Sequence, residues 1–215
     1  MTTTQKPLAQ AIRDRRSTPS FDGKPVPPSD LRQILDAGLH APSGYNMQPW
    51  RFVVVQQEEQ RRRLRAASYN QAKVEEASAV IVACGDRDGW RKDLDEMLRL
   101  GCAGGMTEGY AAQALDSVPE YFSGFSEHQM TGWLNKQVML AFTSMMLMAE
   151  VLGYDTAPME GFEQQRVCET LKLPMSYWVV ALLAIGHLKG QDKFDGGRFD
   201  MARTVFGEEY GKALK

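Results

Sequence analysis

Apolar positions along this chain fall into two kinds of run, periodic and continuous. Leu31, Ile34, Leu35 and Leu39 recur at helical spacing, and Ser29 ahead of them predicts a helix with a serine N-cap. Residues 8–16 (LAQAIRDRR) predict an earlier short helix whose basic end suits the helix dipole. Trp50–Val55 (WRFVVV) and Ala79–Cys84 (AVIVAC) are β-branched and aromatic or small, and predict strands. Between them a highly charged helix is expected over 58–67. Tyr177–Ile185 (YWVVALLAI) is continuous rather than alternating, as in a strand covered on both faces.

Residues 133–152 carry apolar side chains on almost every side, among them Trp133, Val138, Phe142, Met145, Met146 and Val151. That pattern predicts a helix buried all round, in a large core or between subunits, and stopped by Gly153. A further helix over 163–172 ends before Pro174. Prolines 19, 25, 27 and 28 with Gly23 make 17–28 an irregular connection. Gly101, Gly104 and Gly105 blur the pattern across 85–128, and 187–215 is a polar tail. Ala157–Phe162 reads as a loop before the helix at 163. Strands scattered between helices favour α+β over a regular doubly wound fold.

Composition narrows the function classes. A chain of 215 residues fits one domain, 1–215, able to bury roughly 70% of its unfolded surface. A formal net charge of −2 gives no general pull toward nucleic acid or anionic membrane. The run Arg61-Arg62-Arg63-Leu64-Arg65 has Glu58 and Glu59 alongside and reads as a solvated helix face. Three dispersed cysteines, Cys84, Cys102 and Cys168, argue against a disulfide framework and for a reducing compartment. With no apolar leader and no uninterrupted apolar span of membrane length, the expected location is the cytoplasm. His40, His128 and His187 lack HExxH spacing, and no GxSxG elbow is present, so neither a metal site nor a hydrolase triad is expected.

Four polar segments carry candidate chemistry. Arg15, Arg16 and Ser17 follow the first helix; two guanidiniums and a hydroxyl beside a turn suit a phosphate, although an isolated arginine pair is usually a solvated helix end. Pro42, Ser43, Gly44 and Asn46 lie in a proline-bracketed loop (APSGYNMQPW) with several aimed polar groups. Asn70 and Lys73, three residues apart, are expected on one helical face. Met159, Glu160 and Gly161 end in a glycine that lets the backbone approach a flat ligand.

In this order, through RRSTPSFDGKPV, APSGYNMQPWRFVVV, NQAKVEEASAVIVAC, WLNKQVMLAF and LGYDTAPMEGF, the segments resemble the FMN-dependent nitroreductase family. The resemblance covers nearly all of the chain outside about 86–130. It implies a central mixed β-sheet surrounded by helices, in an intertwined homodimer with flavin sites at the subunit interface. Residues 86–130 become a variable helical excursion over the active site, with Tyr121, Phe122 and Phe125 a candidate lid for flat substrates or simply core. The phosphate contacts fall on Arg15, Arg16 and Ser17, joined by a basic residue of the tail at Arg198. Asn70 and Lys73 match contacts to the flavin pyrimidine, where a fixed cation stabilises negative charge gained on reduction. Pro42, Ser43, Gly44 and Asn46 match a loop reaching the flavin of the other subunit; Met159, Glu160 and Gly161 match the segment beside N5. The implied activity takes hydride from NADH or NADPH and passes electrons to nitroaromatics or quinones by a ping-pong cycle. Reductive dehalogenation, flavin modification or flavin binding without catalysis are the alternatives on the same fold. One departure stands out: position 19, often basic in the family, is Pro19, with neither charge nor donor.

Overall fold

The computed structural model describes residues 5–190 and 194–214. Helix α1 (Leu8–Asp14) stops one residue before the arginine pair, and α2 (Pro28–Leu39) follows the proline-rich connection. The N-cap of α2 is Pro27 rather than Ser29, because Pro28 supplies the fixed φ favoured at the first helical position. Strand β1 (Trp50–Val55), α3 (Glu58–Ala66), α4 (Ala72–Glu76) and β2 (Ala79–Asp86) come next. The indistinct region then holds α5 (Gly89–Lys92), α6 (Leu94–Ala103) and α7 (Glu108–Ser123).

Helix α8 (Glu127–Val151) begins earlier than its apolar run, because Ser126 and Gln129 form a reciprocal capping box. Gly153 past its end is left-handed at φ 85°, the conformation that terminates a helix. Strand β3 (Asp155–Met159), α9 (Gln164–Leu171), β4 (Tyr177–Gly186) and the short α10 (Met201–Thr204) complete the chain. β3 occupies a stretch expected to be loop. It is an edge strand, which is where Pro158 is tolerated.

The sheet order is β1-β2-β4-β3. Every strand pair is antiparallel, so the mixed sheet expected from the sequence is corrected. Its parallel element among the described residues is a single bridge between Ser17 and Thr156. The long connection through α5–α8 returns β4 beside β2 in the opposite direction, which removes the need for a parallel crossover.

Alternation within the central strands explains their continuous apolar sequence. Ile81, Ala83, Leu183 and Ile185 face α2 and α8, packing with Ile34, Phe142 and Met145. Val80, Val82, Leu182 and Ala184 face the other way, onto Leu64, Val74 and Val167. The sheet is thus covered on both sides. Gly38 lets α2 close on α8: a Cβ there would lie 2.6 Å from Met145 Cγ and 3.2 Å from the Ala141 carbonyl. A third cluster, with Leu94, Val118, Phe122 and Trp133, ties α6 and α7 to the start of α8.

Within one chain α8 is not covered all round. Gly132, Lys136, Leu140 and Thr143 form an exposed stripe, and Leu140 is 45% accessible. At its other end Glu150, 5% accessible, pairs with Lys6 at 2.5 Å.

Candidate active site

Three of the four polar segments meet along β3. At its start, Thr18 N donates to the Thr156 carbonyl at 2.9 Å, fixing Ser17 and the arginine pair beside the strand. At its far end, Met159 is buried and Glu160 exposed. There Gln71 Nε2 donates to the Gly161 carbonyl at 2.8 Å, and Glu163 N to the Ala67 carbonyl at 2.8 Å. The span from Thr156 to Gly161 is roughly 16 Å of extended chain. A strip results with the arginine pair at one end and the Gln71 amide, the turn that leads into Lys73 and the Gly161 backbone at the other.

The two arginines differ. Arg16 donates through Nη1 to the carbonyls of Arg13 (2.5 Å) and Arg15 (3.0 Å), and through Nη2 to Asp195 at 2.9 Å. Its guanidinium holds the Asp195 carboxyl below the usual carboxylate range, helped by the Gly197 amide. Arg15 is half-buried and its guanidinium has no hydrogen-bonded or ionic partner among the described residues, and Ser17 is exposed. The Asp195 contact brings the tail to this end of the strip. Arg198, three residues on, is exposed and among the described residues its guanidinium bonds the Gly197 carbonyl, at 2.6 Å. Pro19 is exposed just beyond Thr18.

At the other end, Tyr69 and Asn70 both have left-handed backbones, φ 49° and 56°, and α4 starts only at Ala72. Asn70 and Lys73 therefore do not share a helical face as their spacing suggested. A turn intervenes, held by Arg65 Nε donating to the Asn70 carbonyl at 3.3 Å. Lys73 is half-buried and has no carboxylate partner among the described residues. A Cβ on Gly161 would lie 3.3 Å from Gln71 Nε2 and 3.6 Å from Tyr69 Cδ2, so the glycine keeps this approach open.

These residues fit a flavin mononucleotide by donor chemistry. The buried hydroxyls of Thr18, Ser68 and Thr156 have no hydrogen-bond partner among the described residues, an arrangement in keeping with a polar ligand or water beside them. Arg15 and Lys73, in the segments at opposite ends of the strip and without a carboxylate partner among the described residues, are of the charge that suits an anionic phosphate and an acceptor-rich ring.

The fourth segment lies elsewhere. Ser43 Oγ accepts from Gln48 N at 2.9 Å, and Gly44 N donates to Gln137 of α8 at 2.8 Å. Tyr45, Asn46 and Gln48 are all left-handed, at φ 55°, 55° and 45°. Pro42 and Asn46 are exposed. This loop feeds β1, the edge opposite β3, about three strand spacings or roughly 14 Å away across the sheet. One chain thus brings three segments together and sets the fourth apart.

The aromatic patch divides as well. Phe122 is 2% accessible, stacked on Trp90 and edge-on to Trp133 at 4.8 Å, so it is core. Tyr121 is exposed and sits 5.6 Å from the Tyr45 ring, while Phe125 lies 4.9 Å from Tyr121. Gln71, Ser68 and Asp195 had no distinguishing signal in the sequence, since their partners lie far along the chain. Around α3 the arginines are matched by carboxylates: Arg62 pairs with Glu58, Glu59 and Glu75, and Arg65 with Glu75.

A sequence model described as the nitroreductase family matches residues 12–187. An NADH dehydrogenase of Thermus thermophilus is 34% identical over 195 residues, spanning 91% of this chain and 93% of that protein. A candidate NAD(P)H nitroreductase of Staphylococcus haemolyticus is 29% identical, spanning 80% and 81%. Among solved structures, a candidate NAD(P)H:FMN oxidoreductase from Staphylococcus epidermidis superposes with a TM-score of 0.88 at 27% identity, covering 95% of this chain and 98% of its own. A candidate nitroreductase from Exiguobacterium sibiricum, solved in complex with FMN, gives 0.87 at 26% identity, covering 97% and 100%.

Proposed function

The chain belongs to the nitroreductase family and is an NAD(P)H-dependent oxidoreductase with FMN as its cofactor; from that premise we propose a homodimeric enzyme that reduces nitroaromatics or quinones by a ping-pong cycle. When bound, FMN supplies a ring that takes hydride from the nicotinamide and returns electrons to an acceptor entering the same place. Arg15 and the Ser17 hydroxyl bind the phosphate, with Arg198 joining from the tail. Arg16 braces that corner through Asp195. The Lys73 ammonium and the Asn70 amide orient the pyrimidine, and Lys73 places fixed positive charge where reduction adds negative charge. Gly161, flanked by Met159 and Glu160, lets backbone approach the reacting face.

The loop of Pro42, Ser43, Gly44 and Asn46 completes the site of the other subunit, and Tyr121 and Phe125 contribute an apolar wall for flat acceptors. The supporting observation for two subunits is the separation of that loop from the other three segments. Exposed apolar side chains point the same way: Leu140 at 45%, Phe199 at 67% and Tyr210 at 91% need a cover that one chain does not provide.

The experiment is a visible spectrum of the pure protein, then anaerobic addition of NADH or NADPH, then a panel of nitroarenes and quinones. A yellow protein that bleaches and is reoxidised, with parallel double-reciprocal lines, is expected. A colourless protein that takes up no FMN would refute the cofactor site; reoxidation by neither acceptor class would refute the assigned reaction.

A further inference from the structure

The loop 43–48 needs an explanation for its backbone. Three left-handed residues other than glycine within four positions are a strained arrangement that persists only where surrounding contacts hold it. Local hydrogen bonds supply part of that hold: Asn46 N to the Ser43 carbonyl at 2.9 Å and Met47 N to the Gly44 carbonyl at 3.1 Å. Gln48 N to Ser43 Oγ, Gly44 N to Gln137 and the burial of Met47 add to it, and one guanidinium ties the loop to the helical excursion through polar contacts. Arg51 Nη1 donates to the carbonyls of Gln48 (3.2 Å) and Trp50 (2.9 Å), while Nη2 pairs with Asp93.

Asp93 is itself fixed. It sits at the junction of α5 and α6, where its amide donates to the Gly89 carbonyl at 2.9 Å and its carbonyl accepts from Met97 N at 2.9 Å. Gly89 lies directly beside the pair: a Cβ there would make ordinary contact with Asp93 Oδ2 at 3.4 Å and Arg51 Nη2 at 3.9 Å. Arg51 is only 31% accessible, so its bonds are partly shielded from water and salt. A planar fork can reach two carbonyls and a carboxylate at once; a lysine ammonium cannot reproduce that geometry.

We infer that Arg51 is a positioning residue: it latches the loop 43–48 to the α5–α6 junction, so that the helical excursion sets the loop's conformation and, through it, acceptor binding. The site link rests on the proposed role of that loop in the flavin site, whereas the latch itself does not. Movement of α6 would be passed to the Gln48 carbonyl through Arg51, beside the apolar contact that Met47 makes by sharing a buried cluster with Leu94 and Met97. Acceptor preference would then depend on residues far from the flavin.

The test uses the intact protein as Arg51→Met, Arg51→Lys and Asp93→Asn, plus the double variant. Hydrogen exchange of the Asn46, Met47 and Gln48 amides should accelerate at least about tenfold in Arg51→Met, with β1–β2 amides unchanged. Asp93→Asn should give a smaller rise, and the double variant no more than Arg51→Met, because both act through one guanidinium. Arg51→Lys should restore less than half of the protection. In the flavin-loaded enzyme KM for menadione should rise about fivefold to tenfold while kcat moves less than twofold. Unchanged loop exchange in Arg51→Met, or additive effects in the double variant, would overturn the latch. Faster exchange with unchanged KM would overturn its link to the site. If Arg51→Met fails to fold, Arg51→Lys and Asp93→Asn decide on the same readouts. If wild-type protein binds no FMN, the functional reading fails, yet the exchange result still decides the latch.

Discussion

Replacing Arg15 with methionine separates the roles of the two adjacent arginines. Arg16 directs its donors to the Arg13 and Arg15 carbonyls and to Asp195, whereas half-buried Arg15 has no acceptor among the described residues. A phosphate monoester carries about −1.5 to −2 charges near neutral pH. A hydrogen bond to a charged group contributes about 1.5–3 kcal/mol. At about 1.4 kcal/mol per decade, the loss is roughly 10- to 150-fold in FMN affinity. Methionine keeps the apolar stem, so folding stability should change little. The assay is fluorescence titration of flavin-free protein with FMN and with riboflavin, at low and high salt. Riboflavin has no phosphate, so its affinity should stay within about twofold. The salt dependence of FMN binding should weaken in the variant. Equal losses for both ligands, or none for FMN, would refute the assignment of Arg15 to the phosphate.

Lys6→Met should cost about 3–5 kcal/mol, because it strands the buried Glu150 carboxylate, whose Oε2 already has no partner. At about 2–4 °C per kcal/mol that is a melting-point drop of roughly 6–20 °C, read by calorimetry. Adding Glu150→Gln to Lys6→Met should recover part of the deficit, since a neutral amide is cheaper to bury than an unpaired carboxylate; no recovery would refute this account. Arg16 depresses the Asp195 pKa, so the tail contact is fully present above the usual carboxylate range and lost as pH falls through the lowered value. Hydrogen exchange over 194–199 should accelerate in acid, and Asp195→Asn should show that faster rate already at neutral pH.

Legibility in the sequence followed the range of the interactions. Strands β1, β2 and β4 were readable because burial on both faces leaves an unbroken apolar run. β3 was not, since an edge strand with Pro158 looks locally like a turn. The excursion was opaque because its cluster around Phe122 joins short apolar faces of α6 and α7 to the start of α8, and neither α6 nor α7 has a long apolar stripe of its own. In the site, segment identities came from resemblance, but the division of labour did not. Arg15 and Arg16 are alike in sequence; only Asp195, 179 residues from Arg16, tells them apart. Arg51 was hidden as one polar residue in an apolar strand.

The strand order has a consequence for how the protein is made. β2 pairs with β4 from Ala79 to Ile185 and from Asp86 to Tyr177, sequence separations of 185 − 79 = 106 and 177 − 86 = 91 residues. During synthesis β2 therefore leaves the ribosome long before its central neighbour exists. Val55 and Val80, 25 residues apart, can pair early and shield one edge, but AVIVAC keeps its other edge open. Loop closure over such distances slows folding, and an unpaired apolar edge invites association between nascent chains. Slower, cooler expression should thus favour folded protein over aggregate, for a reason that lies in chain order alone.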